Sequence, residues 1–380
     1  TLATDLVEGK ELAEQQKQEE ASGAEATWNE DLGLWMTSKG ATGVKDEYDD
    51  GYVAGEQTPA QYYFSIDSLT NEISIEYGDA GITTLEVPST IDDNNVVSLT
   101  GMGSAALTSI TFAPNSHVRS VGGLGGSSIK EIALPDSVEE LKSYAFYKSK
   151  TLQTVTWPNN AAFTTIPEQA FKECEQLDDK VVATLPPSVK TIDYLAFAYC
   201  GVPQFYVSDT TVLTFTQINV PGTVERIECN AFDGCSHVSS VTIGDGVKYI
   251  GAHAFASLDP AIAGKEIVLP KSVEMIEWGA FENTRYGNET NHNAVALRVM
   301  NPDLQFGEAG YPGDYNERVT IDGVTYAIPF SEGQTIYAYA TDSAGNPSMV
   351  KKLADAVADR KDSVDSSKPA YTFEWMGEAA

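Results

Sequence analysis

The sequence predicts a mainly β solenoid, built from tandem coils and closed by a cap at each end. Three observations predict it. Six copies of the spacing V/F-x-x-I/L-x-x-x-A-F fall at Val138–Phe146, Phe163–Phe171, Val189–Phe197, Val224–Phe232, Val247–Phe255 and Val273–Phe281. Each is preceded by a short apolar alternation that ends in Pro or Gly, and repeats with a period of about 20 to 50 residues stack because one unit cannot bury its own apolar face. The chain has 380 residues. That exceeds what one compact core usually serves, but a solenoid escapes the limit because each coil touches only its neighbours.

Residues 1–55 form a separate compositional region. Leu2 to Ala21 is rich in Glu, Gln, Lys and Ala and reads as a helix, followed by Gly-rich and acidic sequence in which Trp28, Leu32, Leu34, Trp35 and Met36 gather. The region either docks on the first coil as a cap or is a linker; two tryptophans favour docking. Asp46-Glu-Tyr-Asp49-Asp50-Gly51 loosely echoes a calcium loop, but Tyr48 and Gln57 stand at ligand positions, so it reads as a solvated acidic turn.

From Tyr62 the period changes to two, with a hairpin expected to turn near Asn71. Short strands then end at Pro88, Pro114, Pro135, Pro158, Pro186, Pro221, Gly244 and Pro270. Proline lacks the donor a ladder needs, so it stops each strand at the same corner of the coil. Two early coils lack the motif phenylalanine, with Ser104 and Gly126 at the place counted for it. The glycines at 122, 123, 125 and 126 lack the spacing and the Lys-Ser/Thr of a phosphate loop and read as a tight turn. Beyond Pro302 a strand at 321–330, a strand at 336–339, a helix at 349–358 and a last strand at 371–375 are expected as the terminal cap. The whole solenoid is read as 56–375, with 56–90 and 303–375 as caps around repeats at 91–302.

The motif phenylalanines Phe146, Phe171, Phe197, Phe232, Phe255 and Phe281 are expected to form an interior ladder. Cys174, Cys200 and Cys235 each follow a motif Phe by three residues and make a second column. A small thiol suits a buried stack; free thiols are favoured there over a disulfide between neighbours. Cys229 lies outside the column, and the chain has no CxxC pair.

Composition narrows function. Twenty-four Lys and Arg stand against 55 Asp and Glu, a net charge of −31. Such a field repels phosphate backbones and anionic lipid, so nucleic acid is excluded as a partner class. No run of about 18 apolar residues exists to span a membrane. The four histidines are scattered, with no HExxH, so neither a metal, a cofactor nor a catalytic residue is assigned. A carboxylate pair acting on glycosides is the one enzymatic alternative. Thr1 opens the chain with no Met and no leader, as in a processed protein or a fragment, which does not argue for the cytoplasm.

Spacing points to a binding edge. From strand end to motif Phe the distance is 11 residues in five of six coils and 13 in the sixth, Pro158 to Phe171; from Phe to the next strand end it runs 12, 15, 24, 12, 15 and 21. Insertions confined to one face of a solenoid often mark its binding face. The longest, 201–215 and 282–295, carry the candidate ligand-binding residues Phe205, Tyr206, Arg285, Tyr286, Asn288, Asn291 and His292, and Tyr311 and Tyr315 follow. Tyr, Arg and Asn suit protein or sugar contacts, although tolerant loops also collect them by drift. The outward strand positions, Ser109, Glu131, Thr154, Gln217, Ser240 and Glu266 beside Thr111, Ala133, Thr156, Asn219, Thr242 and Val268, form a flat hydrogen-bonding face that plain sheet propensity also explains.

The composite Pro-x-x-Val-x-x-Ile-x-x-x-Ala-Phe-x-x-Cys, complete at Val189–Cys200 and Val224–Cys235, resembles the BspA-like leucine-rich-repeat family of bacterial surface proteins. The likeness covers roughly residues 60–375, including Leu85–Leu99 and an Ile336-Tyr337-x-Tyr339 ending that look like the family's caps. It implies a right-handed leucine-rich-repeat solenoid with a parallel concave sheet, on a secreted or cell-surface protein that serves adhesion by binding other macromolecules. The family brings no catalytic residues. The function expected is a non-catalytic extracellular module for a host or neighbouring-cell protein, with a glycan as the alternative ligand and a monomer as the expected state.

Overall fold

The Ala-Phe motif is a turn with an unusual backbone. In successive coils the residue two before the phenylalanine has positive φ (Tyr144 62°, Gln169 52°, Leu195 54°, Asn230 57°, His253 55°, Gly279 57°), and so does the residue two after it (Lys148 59°, Glu173 62°, Tyr199 58°, Gly234 72°, Ser257 57°). This alternation turns the amides at −2, 0 and +2 toward the following coil. Tyr144, Phe146 and Lys148 donate to the carbonyls of Glu168, Ala170 and Lys172 at 2.9, 2.7 and 2.9 Å, and Phe171, Phe197, Phe232 and Phe255 donate to Ala196, Ala231, Ala254 and Ala280 at 2.7–2.8 Å. The accepting residue is the motif alanine, fully buried in every copy, where a larger side chain has no space. The fixed spacing of the sequence motif is the register of this ladder.

In the computed structural model, residues 27–29, 34–37, 40–41, 50–55, 58–78, 81–101, 103–202, 213–259, 262, 265–282, 295–307, 318–363 and 365–377 are described. Parallel strands form two ribbons along the stack. The first contains Thr84–Val87, Ser109–Phe112, Glu131–Ala133, Thr154–Thr156, Gln217–Val220, Ser240–Ile243, Glu266–Leu269 and Ala296–Val299, paired in register in four sheets. The second is made of the motif's own V-x-x-I segment, two residues per coil: Ser120–Val121, Glu140–Leu141, Thr165–Ile166, Thr191–Ile192, Arg226–Ile227, Tyr249–Ile250, Met275–Ile276 and Gln305–Phe306. One parallel strand ribbon is expected from sequence, and two are present; the second escapes notice because two residues are too short a run to show period two.

Between the ribbons the core is continuous. The rings of Phe146, Phe171, Phe197, Phe232, Phe255 and Phe281 stack nearly parallel, with centroids 5.1–5.4 Å apart. Beside them Cys174, Cys200 and Cys235 are free, buried thiols. Each donates to the carbonyl of the previous coil's phenylalanine: to Phe146 at 3.2 Å, Phe171 at 3.1 Å and Phe197 at 3.2 Å. Burial pushes all three thiols well above the usual cysteine range. Ser149 fills the same position one coil earlier and donates to Leu124 at 3.0 Å. Cys200→Ser is therefore expected to cost under about 1.5 kcal/mol, as a near-isosteric swap. Cys200→Val removes one of the two donors to the Phe171 carbonyl, the Cys174 amide at 3.1 Å remaining, and is expected to cost about 0.5–1.5 kcal/mol more than the serine variant. Denaturation midpoints of the two variants check this; equal losses would remove the donor role.

Other sequence expectations change as well. The Phe-less coil is not without a rung. Leu124, rather than Gly126, sits at the motif position: it is fully buried and its amide donates to Ala145 at 2.7 Å. Gly123, with φ 62°, allows that coil to close two residues early, since a Cβ there would lie 1.7 Å from the Gly101 amide nitrogen. Met102, in the other Phe-less coil, lies outside the described residues. The strand expected to end at Pro186 is a short helix, Lys180–Ala183, opened by Asp178 accepting from the Lys180 amide at 2.8 Å and burying Val181 and Val182 with Leu185.

At the N-terminal end Thr58–Ile66 and Ile73–Gly78 form the expected hairpin, with Asn71 at φ 55° in its turn and Asp67 accepting from the Leu69 and Thr70 amides. The segment 321–330 is instead a hairpin, Arg318–Ile321 with Val324–Ala327, turned by Asp322 and Gly323 at positive φ. Thr335–Tyr339, the helix Met349–Ala356 and Thr372–Met376 follow, the two strands pairing in parallel and extending the first ribbon from Ala296–Val299.

Candidate functional site

The candidate residues Phe205, Tyr206, Arg285, Tyr286, Asn288, Asn291 and His292, with Tyr311 and Tyr315, lie outside the described residues, as does the acidic turn at 46–49. The surfaces that can be built from residues are the outer faces of the two ribbons and the motif edge.

On the first ribbon the two outward columns are as the alternation places them. Glu131 is level with Thr154, Ala133 with Thr156, Gln217 with Ser240 and Asn219 with Thr242, all exposed except half-buried Asn219. Apart from Glu131 the side chains named are uncharged and mostly short, which leaves this face flat. At its C-terminal end it changes character: the Arg298 guanidinium forks onto Glu266 with two 2.7 Å bonds and lies 4.7 Å from the Tyr337 ring centroid. The bonded guanidinium holds the Glu266 carboxyl below its usual range.

The second ribbon carries an open groove of about 680 Å³ across its N-terminal coils. Its floor is the outward row Ser98, Ser120, Glu140 and Thr165, one residue per coil. Arg119, Glu139 and Lys142 stand beside the floor; Arg119 is held by Glu72 at 2.8 Å, and Lys142 pairs with Glu140. One wall, Ala162 and Thr164, belongs to the single coil whose strand-to-Phe distance is 13 rather than 11. The two added residues form a turn pinned to the preceding coil: the Asn159 amide donates to Asp136 Oδ1 at 2.8 Å and Asn160 Nδ2 to the Asp136 carbonyl at 3.1 Å. On the floor, Ser120 is 9% exposed and its Oγ finds no hydrogen-bond partner among the described residues. A buried hydroxyl left unpaired costs free energy that a bound polar group recovers.

Sequence reasoning treats the 11-residue edge as purely structural. The structure makes the exception at Pro158–Phe171 the wall of a groove, and the signal was the count of 13 itself. Among the described residues no group of three or more His, Cys, Asp or Glu side chains converges as metal donors, and no helix is long and apolar enough to cross a membrane. His253 lies 3.4 Å from Glu282 and edge-on to Trp278 at 4.2 Å.

The family model of the BspA type leucine rich repeat region matches residues 102–216 and 211–294, in six copies, which together are more than half of the chain. Among solved structures the chain is similar to the pneumococcal vaccine antigen PcpA, with 16% identity over 89% of this chain and 100% of that one and a TM-score of 0.35. It is also similar to the T. pallidum leucine-rich repeat protein TpLRR, with 20% identity over 56% of this chain and 86% of that one and a TM-score of 0.35. A leucine-rich repeat protein from Bacteroides ovatus shares 16% identity over 75% of this chain and 71% of that one, with a TM-score of 0.33. No curated protein matches the sequence.

Proposed function

The chain belongs to the BspA-type leucine-rich repeat family, and from that premise we propose that it is a non-catalytic adhesion module of the cell surface or extracellular space that binds a host or neighbouring-cell protein through its repeat surface. The observation that carries the reading is the groove on the second ribbon, where the one lengthened motif segment raises a wall and Ser120 presents an unpaired, nearly buried hydroxyl. The groove crosses successive coils, so its shape suits an extended segment better than a compact small molecule. Its floor of Ser98, Ser120 and Thr165 offers hydroxyls, and its rim offers both signs of charge, the features by which polar interfaces gain specificity. The insertions at 201–215 and 282–295, with Tyr206, Arg285 and Tyr286, are proposed as a second contact for the same partner.

Thr165→Trp fills the groove from its floor without touching the core. In binding to a panel of extracellular matrix and bacterial surface proteins, wild type is expected to retain at least one protein that the variant binds at least tenfold more weakly, about 1.4 kcal/mol. Thr156→Trp on the first ribbon serves as the control. A partner lost only with Thr156→Trp sinks the groove, and recognition of glycans alone in a parallel array replaces the protein reading with the glycan one.

A further inference from the structure

The motif edge carries exposed tyrosines. Tyr144, Tyr194 and Tyr199 are 44, 42 and 37% exposed. Two of them stand where the ladder demands positive φ, Tyr144 at 62° and Tyr199 at 58°, although other coils meet the same demand with Gly279, Asn230 and Gly234. Gln169, Leu195, His253, Lys148, Glu173 and Ser257 take the same conformation elsewhere in the ladder, so the backbone belongs to the ladder and what sets Tyr144 and Tyr199 apart is the exposed aromatic ring. The rings are also held in place. Tyr199 lies over Gly234, where a Cβ would come within 2.3 Å of its ring, so the glycine keeps the platform seated. The Tyr144 hydroxyl donates to Glu168 at 3.2 Å and accepts from Gln169 Nε2 at 2.9 Å, and its ring meets Tyr147 edge-on at 5.9 Å.

Charge says what such a surface takes. The turn of Tyr144 carries Lys142 and Lys148, which pair with Glu140 and Glu173, whereas the motif turns 193–200, 228–235, 251–258 and 277–282 carry Asp193, Glu228, Asp233, Glu277 and Glu282 and neither Lys nor Arg, with Glu228 held by Arg226. The chain as a whole has a net charge of −31. Aromatic faces flanked by carboxylates attract ammonium and guanidinium groups. The protein uses that chemistry on itself at the same edge, where Lys148 Nζ lies 5.0 Å from the centroid of the Tyr147 ring. We infer that the tyrosine edge at Tyr144, Tyr194 and Tyr199 is a second docking surface, which takes a Lys- or Arg-bearing segment of a partner protein. It borders the groove at Tyr144, two residues after the groove-lining Lys142 and bonded to Glu168 beside Pro167, and leaves it at Tyr194 and Tyr199, so Tyr194 is the position that tells the two sites apart.

The test uses the full chain and a fluorescent decapeptide alternating Lys and Gly, with a Gln-for-Lys peptide as its neutral counterpart. Wild type should prefer the lysine peptide, more so at low salt. The double variant Tyr144→Asn, Tyr199→Asn keeps the net charge and should bind it at least tenfold more weakly, with a melting temperature equal to or above wild type, because asparagine accepts positive φ more readily. Tyr194→Ser, at a position of ordinary φ, guards against misfolding of the double variant and should weaken binding about threefold, while Thr156→Trp on the first ribbon should leave it unchanged. Equal affinity for the two peptides, undiminished binding by the Tyr194→Ser and double variants, or displacement of the peptide by a neutral oligosaccharide would overturn the inference.

Discussion

Truncating Phe232 to alanine is expected to destabilise the protein by about 3–5 kcal/mol, the range for buried aromatic deletions. Phe232 is fully buried, and its ring stacks on both neighbours, Phe197 at 5.4 Å and Phe255 at 5.3 Å. Its loss therefore removes two ring contacts and opens a void that the backbone ladder holds apart, with the Phe232 amide fixed to Ala254 and the Phe197 amide to Ala231. In a stack where each coil is stabilised by its neighbours, a break in the middle uncouples the two halves. Chemical denaturation checks it, and a broadened or two-step transition with the loss is part of the expectation. A midpoint equal to that of Thr156→Ala, an exposed first-ribbon control, would mean that the ring column bears no weight.

Gly123→Ala is the second large effect, expected at about 2–4 kcal/mol from a left-handed φ combined with overpacking. The Cβ would be 1.7 Å from the Gly101 nitrogen and 2.4 Å from its Cα, backbone atoms that cannot rotate away. Gly126→Ala separates the two causes. Its φ of 73° is similarly positive but nothing lies within 4 Å, so it should lose only about 1 kcal/mol. Equal losses at the two positions would show that coil contact is not what Gly123 serves.

The repeat, its phase and the buried Phe and Cys columns were legible in the sequence because each rests on a fixed spacing, and spacing survives when residue types vary. What was not legible depended on backbone conformation. Positive φ at Tyr144, Gln169 and Leu195 has no residue signature, since only Asn230, His253, Gly234 and Gly279 are of types that favour it. The second ribbon gives each coil two residues, too few for alternation, so the groove on it could not be foreseen even though its wall was visible as the count of 13. Leu124 was missed because counting from Val118 assumed equal turns, whereas the glycine run closes that coil early. At the helix Lys180–Ala183, which stands where a strand was expected, the N-cap Asp179 makes no side-chain bond; Asp178, one residue earlier, accepts from the Lys180 amide, and the β-branched Val181 and Val182 are buried.

The most direct test of the binding account is a hydrogen-exchange footprint of the full chain with the partner selected by the protein panel. The groove reading predicts that protection gained on binding concentrates in 97–99, 119–121, 139–142 and 162–167, with the first-ribbon strands Ser109–Phe112 and Thr154–Thr156 unchanged. Protection confined to those first-ribbon strands, with none across the four groove segments, would contradict it.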